Sequence, residues 1–245
     1  MSTLAARLAA PSRVLSLEDL AREWTAARVT VRIGGYGVLA HDLVLLRRVR
    51  GGLGRVLMRS ASAEALAGRP CPWDPPCGLD VLFREQGRTG PDGIPKPFVL
   101  GASRLGPDLI VTLTLFGLAI DWVPAVTSAL VDTLKNGIDW RGQREGLYLP
   151  EPAVSDVWVR GVPGPVVPPV AVAARLTFLT PMNSEGDDPR ERPATIVARL
   201  ARRAEGLARW HDAAIGEDWR ALGEVWASLD YDAGGLHAGD RKSVV

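Results

Sequence analysis

Apolar and polar residues alternate along residues 28–35 (RVTVRIGG). Val29, Val31 and Ile33 fall on one side, and Arg28, Thr30 and Arg32 on the other. This is the period of a half-buried strand whose outer face carries two guanidiniums. Just upstream, Ser16 with Asp19 three positions on, followed by Leu17, Leu20 and Trp24 at helical spacing, predicts a capped short helix. After the strand, a glycine-broken stretch (Gly34, Gly35, Gly37) leads past His41 into LVLLRRVRGGLGRVLMRSA, which reads as a helix. Gly51, Gly52 and Gly54 each cost about 1 kcal/mol against Ala in a helix interior. Three of them together predict that another part of the chain or a ligand approaches that face closely.

Residues 68–97 are dense in Pro and Gly and read as an irregular insertion. Two strands follow, PFVLG and then DLIVTLTLFGLAI, in which Leu109, Val111, Leu113 and Leu115 alternate with Ile110, Thr112, Thr114 and Phe116. Residues 121–134 predict a helix with Pro124 in its first turn, where the missing N–H does no harm. It stops at Asn136-Gly137, and a further extended stretch lies within 146–160. The order strand, helix, strand, strand, helix, strand is that of a ferredoxin-like unit.

The proline-rich segment GVPGPVVPP reads as a linker over 161–169. Beyond it, an alternating strand (VAVAARLTFLTP) and a long helix from Pro193 begin a second, similar unit. On that helix Val197, Leu200, Ala204 and Leu207 make one face, and Arg199, Arg202, Arg203 and Arg209 another. The predicted architecture is therefore α+β, with tandem ferredoxin-like units of 1–160 and 170–245, the second shortened to a partial unit ending in a helical stretch over 217–229 and a polar tail.

Composition adds little until it is resolved along the chain. The 245 residues, 47% apolar and 23% charged, have a formal net charge of +1, ordinary for a globular chain. No apolar run approaches the roughly 20 residues needed to span a bilayer, and the N-terminus lacks the apolar core of a secretory signal. A cytoplasmic location with no membrane partner is expected. Within the +1 total lie two basic segments. Residues 22–59 hold eight arginines against Glu23 and Asp42, and residues 190–209 hold six against Glu191 and Glu205. Such arginine-rich helices match the footprint of a polyphosphate or nucleic-acid surface, although a GC-rich genome biases toward arginine as well. Cys71 and Cys77, separated by five residues, are too few for a structural zinc with only His41, His211 and His237 elsewhere. A reduced pair is expected, with no metal and no other cofactor.

RRVRGGLGRVL resembles the arginine- and glycine-rich first helix of CRISPR-associated RAMP proteins. The segments that follow, LDVLF, PKPFVLG, LTLFGLAIDWVPAVTSAL, KNGIDWRGQREG, and LTFLTPMN with the basic helix ARLARRAEGLARW, are similar in order to one branch of them. That branch is the crRNA-processing endoribonuclease family, the Cas family numbered six, including short divergent forms such as those of type IV systems. The resemblance runs from about Arg28 to His211. It implies an RRM-like RAMP protein that binds the hairpin of CRISPR repeat RNA and cuts the precursor without metal. The ribose 2′-OH attacks the adjacent phosphate, leaving a 2′,3′-cyclic phosphate. The enzyme then stays on the crRNA with other Cas subunits of an effector complex.

The residues to which this points are few. His41 lies where the family places its catalytic histidine, and its intrinsic pKa suits proton transfer; it reads equally as a loop histidine beside Asp42. Arg47, Arg48 and Arg50 are the nearest candidates if arginines carry the chemistry instead, with Arg47 and Arg50 catalytic, or if they simply grip phosphate. For RNA binding the candidates are Tyr36, as a base-stacking ring, Arg48, Arg55 and Arg59 along the first helix, Arg141 and Arg144 in the Gly/Arg stretch, and Arg199, Arg202 and Arg203 on the second basic helix. His237 is a second candidate acid, or part of a loose tail. His211 is expected to offset its helix's C-terminal dipole. The alternatives are a non-catalytic crRNA-binding RAMP subunit of an effector complex, and a regulator that binds duplex nucleic acid, which would need a groove-reading helix.

Overall fold

Polar side chains cap the starts of helices at Ser16, Asp42 and Ser62. A computed structural model describes residues 4–84, 94–138, 153–165, 193–216, 218 and 225. The chain opens with α1 (Leu4–Ala9) and β1 (Arg13–Leu15), then α2 (Leu17–Glu23). The Ser16 hydroxyl caps α2, accepting from the Asp19 N–H at 3.0 Å. Strand β2 (Ala26–Ile33) is followed by a 3-10 turn (Gly37–Leu39) and α3 (Leu43–Met58), which starts where the Asp42 carboxylate accepts from the Val44 N–H at 2.8 Å. Two short helices, α4 (Ala63–Leu66) and α5 (Gly78–Leu82), precede the hairpin of β3 (Phe98–Leu105) and β4 (Asp108–Phe116), which turns at Gly106 with φ +60°. A 3-10 segment (Gly117–Trp122) runs into α6 (Val123–Asp132), with Pro124 in its first turn as expected, and a π-helical turn (Thr133–Gly137). Strand β5 (Val154–Val162), α7 (Pro193–Ala208), a 3-10 turn (Arg209–His211) and β6 (Ala213–Ile215) complete the described elements.

Four of the strands form one antiparallel sheet in the order β3-β4-β2-β5. The side-chain period of two divides that sheet cleanly. Val29, Val31, Ile33, Leu109, Val111, Leu113 and Leu115 are all 0% exposed on one face. Leu45, Val49, Leu53 and Leu57 of α3, and Val126 and Leu130 of α6, belong to the same core. Each such side chain contributes roughly 1.5–3 kcal/mol by leaving water, so the packing of α3 and α6 together on one face of the sheet is the mechanical base for whatever α3 displays. The helical run from Gly117 to Asn136 is long and apolar enough to be a candidate membrane span. Ala119, Val126, Ala129, Leu130 and Leu134 within it are buried in this core.

The close approach predicted for the glycine face of α3 is not found at Gly51 or Gly54, where a Cβ would meet nothing nearer than ordinary van der Waals contact. A Cβ on Gly54 would stand 3.4 Å from the Phe83 ring, whereas Gly51 faces open space. The strands and helices expected between residues 16 and 134 are found to within a few residues, but the insertion read as irregular over 68–97 carries α5, whose Leu79, Val81 and Leu82 are buried in the main core; its apolar residues pack although the flanking prolines and glycines hide the period. For the second unit, the strand predicted in 170–181, residues 166–169 of the linker and most of 217–245 lie outside the described residues, and the first two linker residues, Gly161 and Val162, belong to β5. Of the described C-terminal part, β6 pairs in parallel with β1, Arg13 opposite Ala213, and Trp210 is fully buried in the main core, its indole N–H donating to the Pro95 carbonyl at 2.9 Å. Asp212 ties the segment after α7 to the N-terminal region. It accepts from the Arg7 guanidinium at 3.1 Å and from the Ser12 N–H and hydroxyl at 3.0 Å each.

Candidate nucleic-acid interface

Packing on the sheet leaves the outer face of α3 to solvent. Its burial follows the helical period: Leu45, Val49, Leu53 and Leu57 point inward, and Arg47, Arg50, Gly51, Arg55 and Met58 are exposed. Arg47, Arg48 and Arg50 make no hydrogen bond or ion pair among the described residues. Three uncompensated guanidiniums within one turn repel each other, and a bound polyanion would relieve that repulsion. His41 is exposed in the turn that leads into this helix and has no partner among the described residues. Asp42 beside it is committed to capping the helix, so it does not hold the imidazole.

Other predicted contacts divide according to what surrounds them. Arg55 is exposed on the same helix. Arg59 is also exposed but pairs with Asp132 at 2.8 Å, so its charge is already neutralised. Arg199, Arg202 and Arg203 are exposed on α7 and unpaired among the described residues, forming a second basic surface as the sequence implied. Beside them Leu200, Ala204 and Leu207 line an apolar groove with Leu17, Leu20 and Trp24 of the α2 region. Arg209, grouped with the basic face in the sequence, instead donates to the Leu8 and Ala9 carbonyls at 3.0 and 3.1 Å and closes the C-terminal end of α1. Arg141, Arg144 and His237 lie outside the described residues.

Two expectations need correction. Tyr36 is not available to stack on a base: it is 1% exposed and packed among Leu39, Val31 and their neighbours in the core. The tight glycine turn folds its ring inward, where the apolar body gains more from burial than from solvent. His211 does not offset a helix dipole with positive charge. It is buried, with its ring 4.3 Å from that of Trp24, and burial together with the nearby Arg13 charge pushes its pKa down to about 4. A neutral imidazole carries no charge to set against the dipole.

The sequence reading also passed over a pair on the other face of the sheet. Register places Arg160 directly opposite Arg28 and Trp158 directly opposite Thr30. The signal was legible, because Trp158 and Arg160 share parity in VSDVWVRGV, but only the pairing sets them against Arg28. Arg32, one row further on, is bound to Asp108 at 2.5 Å and to Asp156 at 3.6 Å. The Gly35 N–H and the Arg32 guanidinium hold the Asp108 carboxyl below its usual range.

No group of three or more His, Cys, Asp or Glu converges to hold a metal among the described residues. Cys71 and Cys77 are free thiols, and the Cys77 N–H donates to the Cys71 sulfur at 3.3 Å. Burial works to raise the Cys71 pKa. Hydrogen bonds from the Ser62 hydroxyl and from Cys77 and Trp73 outweigh it and bring the thiol below its ordinary value.

A family model described only as an N-terminal domain matches residues 47–149, under half of the chain. The matched stretch begins within α3 and takes in the β3–β4 hairpin and α6. No curated protein and no solved structure matches the chain.

Proposed function

We propose that this protein binds the hairpin of a CRISPR repeat transcript and cuts it without metal, remaining on the crRNA as part of an effector complex in the cytoplasm. The observation that carries the reading is the set of guanidiniums of Arg47, Arg48 and Arg50 beside an exposed His41 at the start of α3, none of them with a partner among the described residues. Support also comes from topology. The order β2-α3-β3-β4-α6-β5, with the first strand between the third and fourth, is the one expected of the first ferredoxin-like unit of a RAMP protein. The α7 arginines Arg199, Arg202 and Arg203, unpaired among the described residues, offer a second surface of the same sign.

The chemistry follows from what the cleavage demands. The ribose O2′ forms a bond to phosphorus as the bond from phosphorus to O5′ breaks. The 2′-OH proton must be removed and O5′ must gain one. His41 is the group suited to one of these transfers. Arg47 and Arg50, always protonated, cannot accept a proton at neutral pH and act on the charge of the five-coordinate phosphorus. One observation favours the binding-only alternative, a crRNA-binding subunit that does not cut. A catalytic histidine is usually oriented by a hydrogen bond to its second ring nitrogen, and His41 has none among the described residues.

The test is incubation of the protein with its cognate repeat RNA in EDTA, followed by analysis of the 3′ end. A 2′,3′-cyclic phosphate product is expected. His41→Ala lowers the cleavage rate by about 10²–10⁴ if the imidazole moves a proton, whereas a larger loss in Arg47→Ala/Arg50→Ala with binding kept assigns the chemistry to the arginines. RNA bound tightly and uncut establishes the binding-only alternative. Failure to bind the repeat refutes both.

A further inference from the structure

We propose that the sheet face opposite α3 and α6 is a single-stranded RNA subsite at the margin of β2 and β5, where one unpaired nucleotide stacks its base on Trp158 and lays its phosphate between Arg28 and Arg160. The inference rests on the reading of the protein as an RNA binder, but on none of the residues that carry that reading.

Its starting point is an electrostatic anomaly. Arg28 and Arg160 are directly opposite in an antiparallel pair, where Cβ atoms stand about 4.5–5.5 Å apart and like charges destabilise the sheet. Arg28 donates to the Thr114 hydroxyl at 3.1 Å, a neutral partner, and Arg160 has no hydrogen bond or ion pair among the described residues. The next charged row of the same face shows how the fold resolves such a site when its role is structural. There Arg32 faces Asp156 across the same two strands and is bound to Asp108 on its other side. The Arg28–Arg160 row is left two charges short of neutrality, which is the condition a bound phosphate satisfies. A guanidinium on each side matches its oxygens by paired N–H donors.

Trp158 supplies the second half. It sits two residues from Arg160 on the same face, roughly 7 Å along the strand, a spacing that a phosphate and its own base can bridge. Trp158 lies on the face opposite the one that α3 and α6 cover. The middle of that face is closed, with Thr30 3%, Ile110 8% and Thr114 8% exposed, but Trp158 at its β5 margin is 37% exposed. A base held in a duplex cannot offer its face to an indole, so the fitting ligand is a single strand. Stacking of this kind tolerates any base. The α3 arginines lie on the far side of the helix layer. A hairpin gripped there would send its unpaired flank round the β5 edge to reach Trp158.

The experiment measures binding of a labelled oligouridylate, which forms no hairpin, by fluorescence anisotropy. Trp158→Ala is expected to weaken it roughly five- to a hundredfold, the range of one lost base stack, while Trp158→Phe retains most of the affinity. Arg160→Gln weakens binding and lowers the slope of log affinity against log salt by about one. In the RNA-free protein Arg160→Gln melts no lower than the wild type, because it relieves a repulsion. Unchanged oligouridylate affinity in Arg160→Gln overturns the proposal, as does a folded Trp158→Phe that binds as weakly as Trp158→Ala. Should Trp158→Ala fail to fold, Arg28→Gln and Arg160→Gln decide alone. The two readings separate on the repeat hairpin. Oligouridylate binding through Trp158 without any hairpin binding sinks the CRISPR assignment and leaves this subsite standing. Hairpin cleavage with oligouridylate affinity indifferent to these variants does the reverse.

Discussion

Acidification from neutral pH toward 4 is expected to remove stability through one residue, His211. Its ring lies against Trp24, its Nδ1 is 3.4 Å from the Thr25 hydroxyl, and its Nε2 is buried without a partner among the described residues. Burial and, to a lesser degree, the charge of Arg13 take its pKa from 6.5 down to about 4. In the unfolded chain the imidazole picks up a proton as pH falls below 6.5; in the folded chain it does not until about 4. Between those values the unfolded state binds more protons, so stability falls as pH falls. Each unit of pKa difference corresponds to 1.36 kcal/mol, and a span from 6.5 to about 4 amounts to roughly 3 kcal/mol. That is a large share of the 5–15 kcal/mol typical of a domain.

The assay is urea unfolding at a series of pH values from 7.5 to 4, compared with His211→Phe, which keeps a flat ring against Trp24 and cannot titrate. The wild type is expected to lose stability across this window and the variant to hold nearly constant. The carboxylates do not blur the comparison. Asp108, held down by the Gly35 N–H and Arg32, and Asp212, where hydrogen bonds from Ser12 and Arg7 outweigh burial, both have pKa values below 3.8. Their contributions are lost only at lower pH. An equal slope in wild type and His211→Phe would refute the account of a buried neutral imidazole.

Two further outcomes follow from the packing. Gly117 has φ +52°, and a Cβ there would stand 2.0 Å from the Trp210 carbonyl oxygen. Gly117→Ala must therefore bear a left-handed backbone cost of roughly 1–2 kcal/mol and displace Trp210 as well. The urea midpoint is expected to drop by more than that backbone cost alone, and an unchanged midpoint would show that the α7 end does not dock as described. Cys71 is partly exposed with a thiol below its ordinary pKa, and Cys77 is buried. Brief iodoacetamide treatment followed by peptide mapping should find Cys71 alkylated first, and more slowly in Ser62→Ala; preferential labelling of Cys77 contradicts the geometry.

Much of the first unit was legible because its signals are local and repeated. Alternation in 28–33 and 109–116, the Ser16 cap, and the apolar period from Leu45 to Leu57 each depend on neighbours a few residues apart, and the structure keeps all of them. The π-helical turn after α6 and the pairing of β1 with β6 were not legible. Strands of three residues have no period to detect, and their partner lies 200 residues away in sequence. Arg47, Arg48 and Arg50 were singled out by charge clustering together with the resemblance, whereas their lack of a partner among the described residues was not legible. Tyr36 was misjudged because a ring in a glycine-rich turn has no pattern that tells inward from outward.

The sequence by itself determined which residues are apolar at which spacing, and so the order of strands and helices and the arginine-rich outer face of α3. Tertiary structure alone decided which of those charges remain uncompensated. Arg59 meets Asp132, Arg32 meets Asp108 and Asp156, and Arg209 meets the end of α1, while Arg47, Arg48, Arg50, Arg28 and Arg160 find no acid among the described residues. The physical reason is range. Secondary structure answers to neighbours a turn or a strand step away, but the neutralisation of a charge depends on whichever group the folded chain brings within a few ångströms, however distant in sequence.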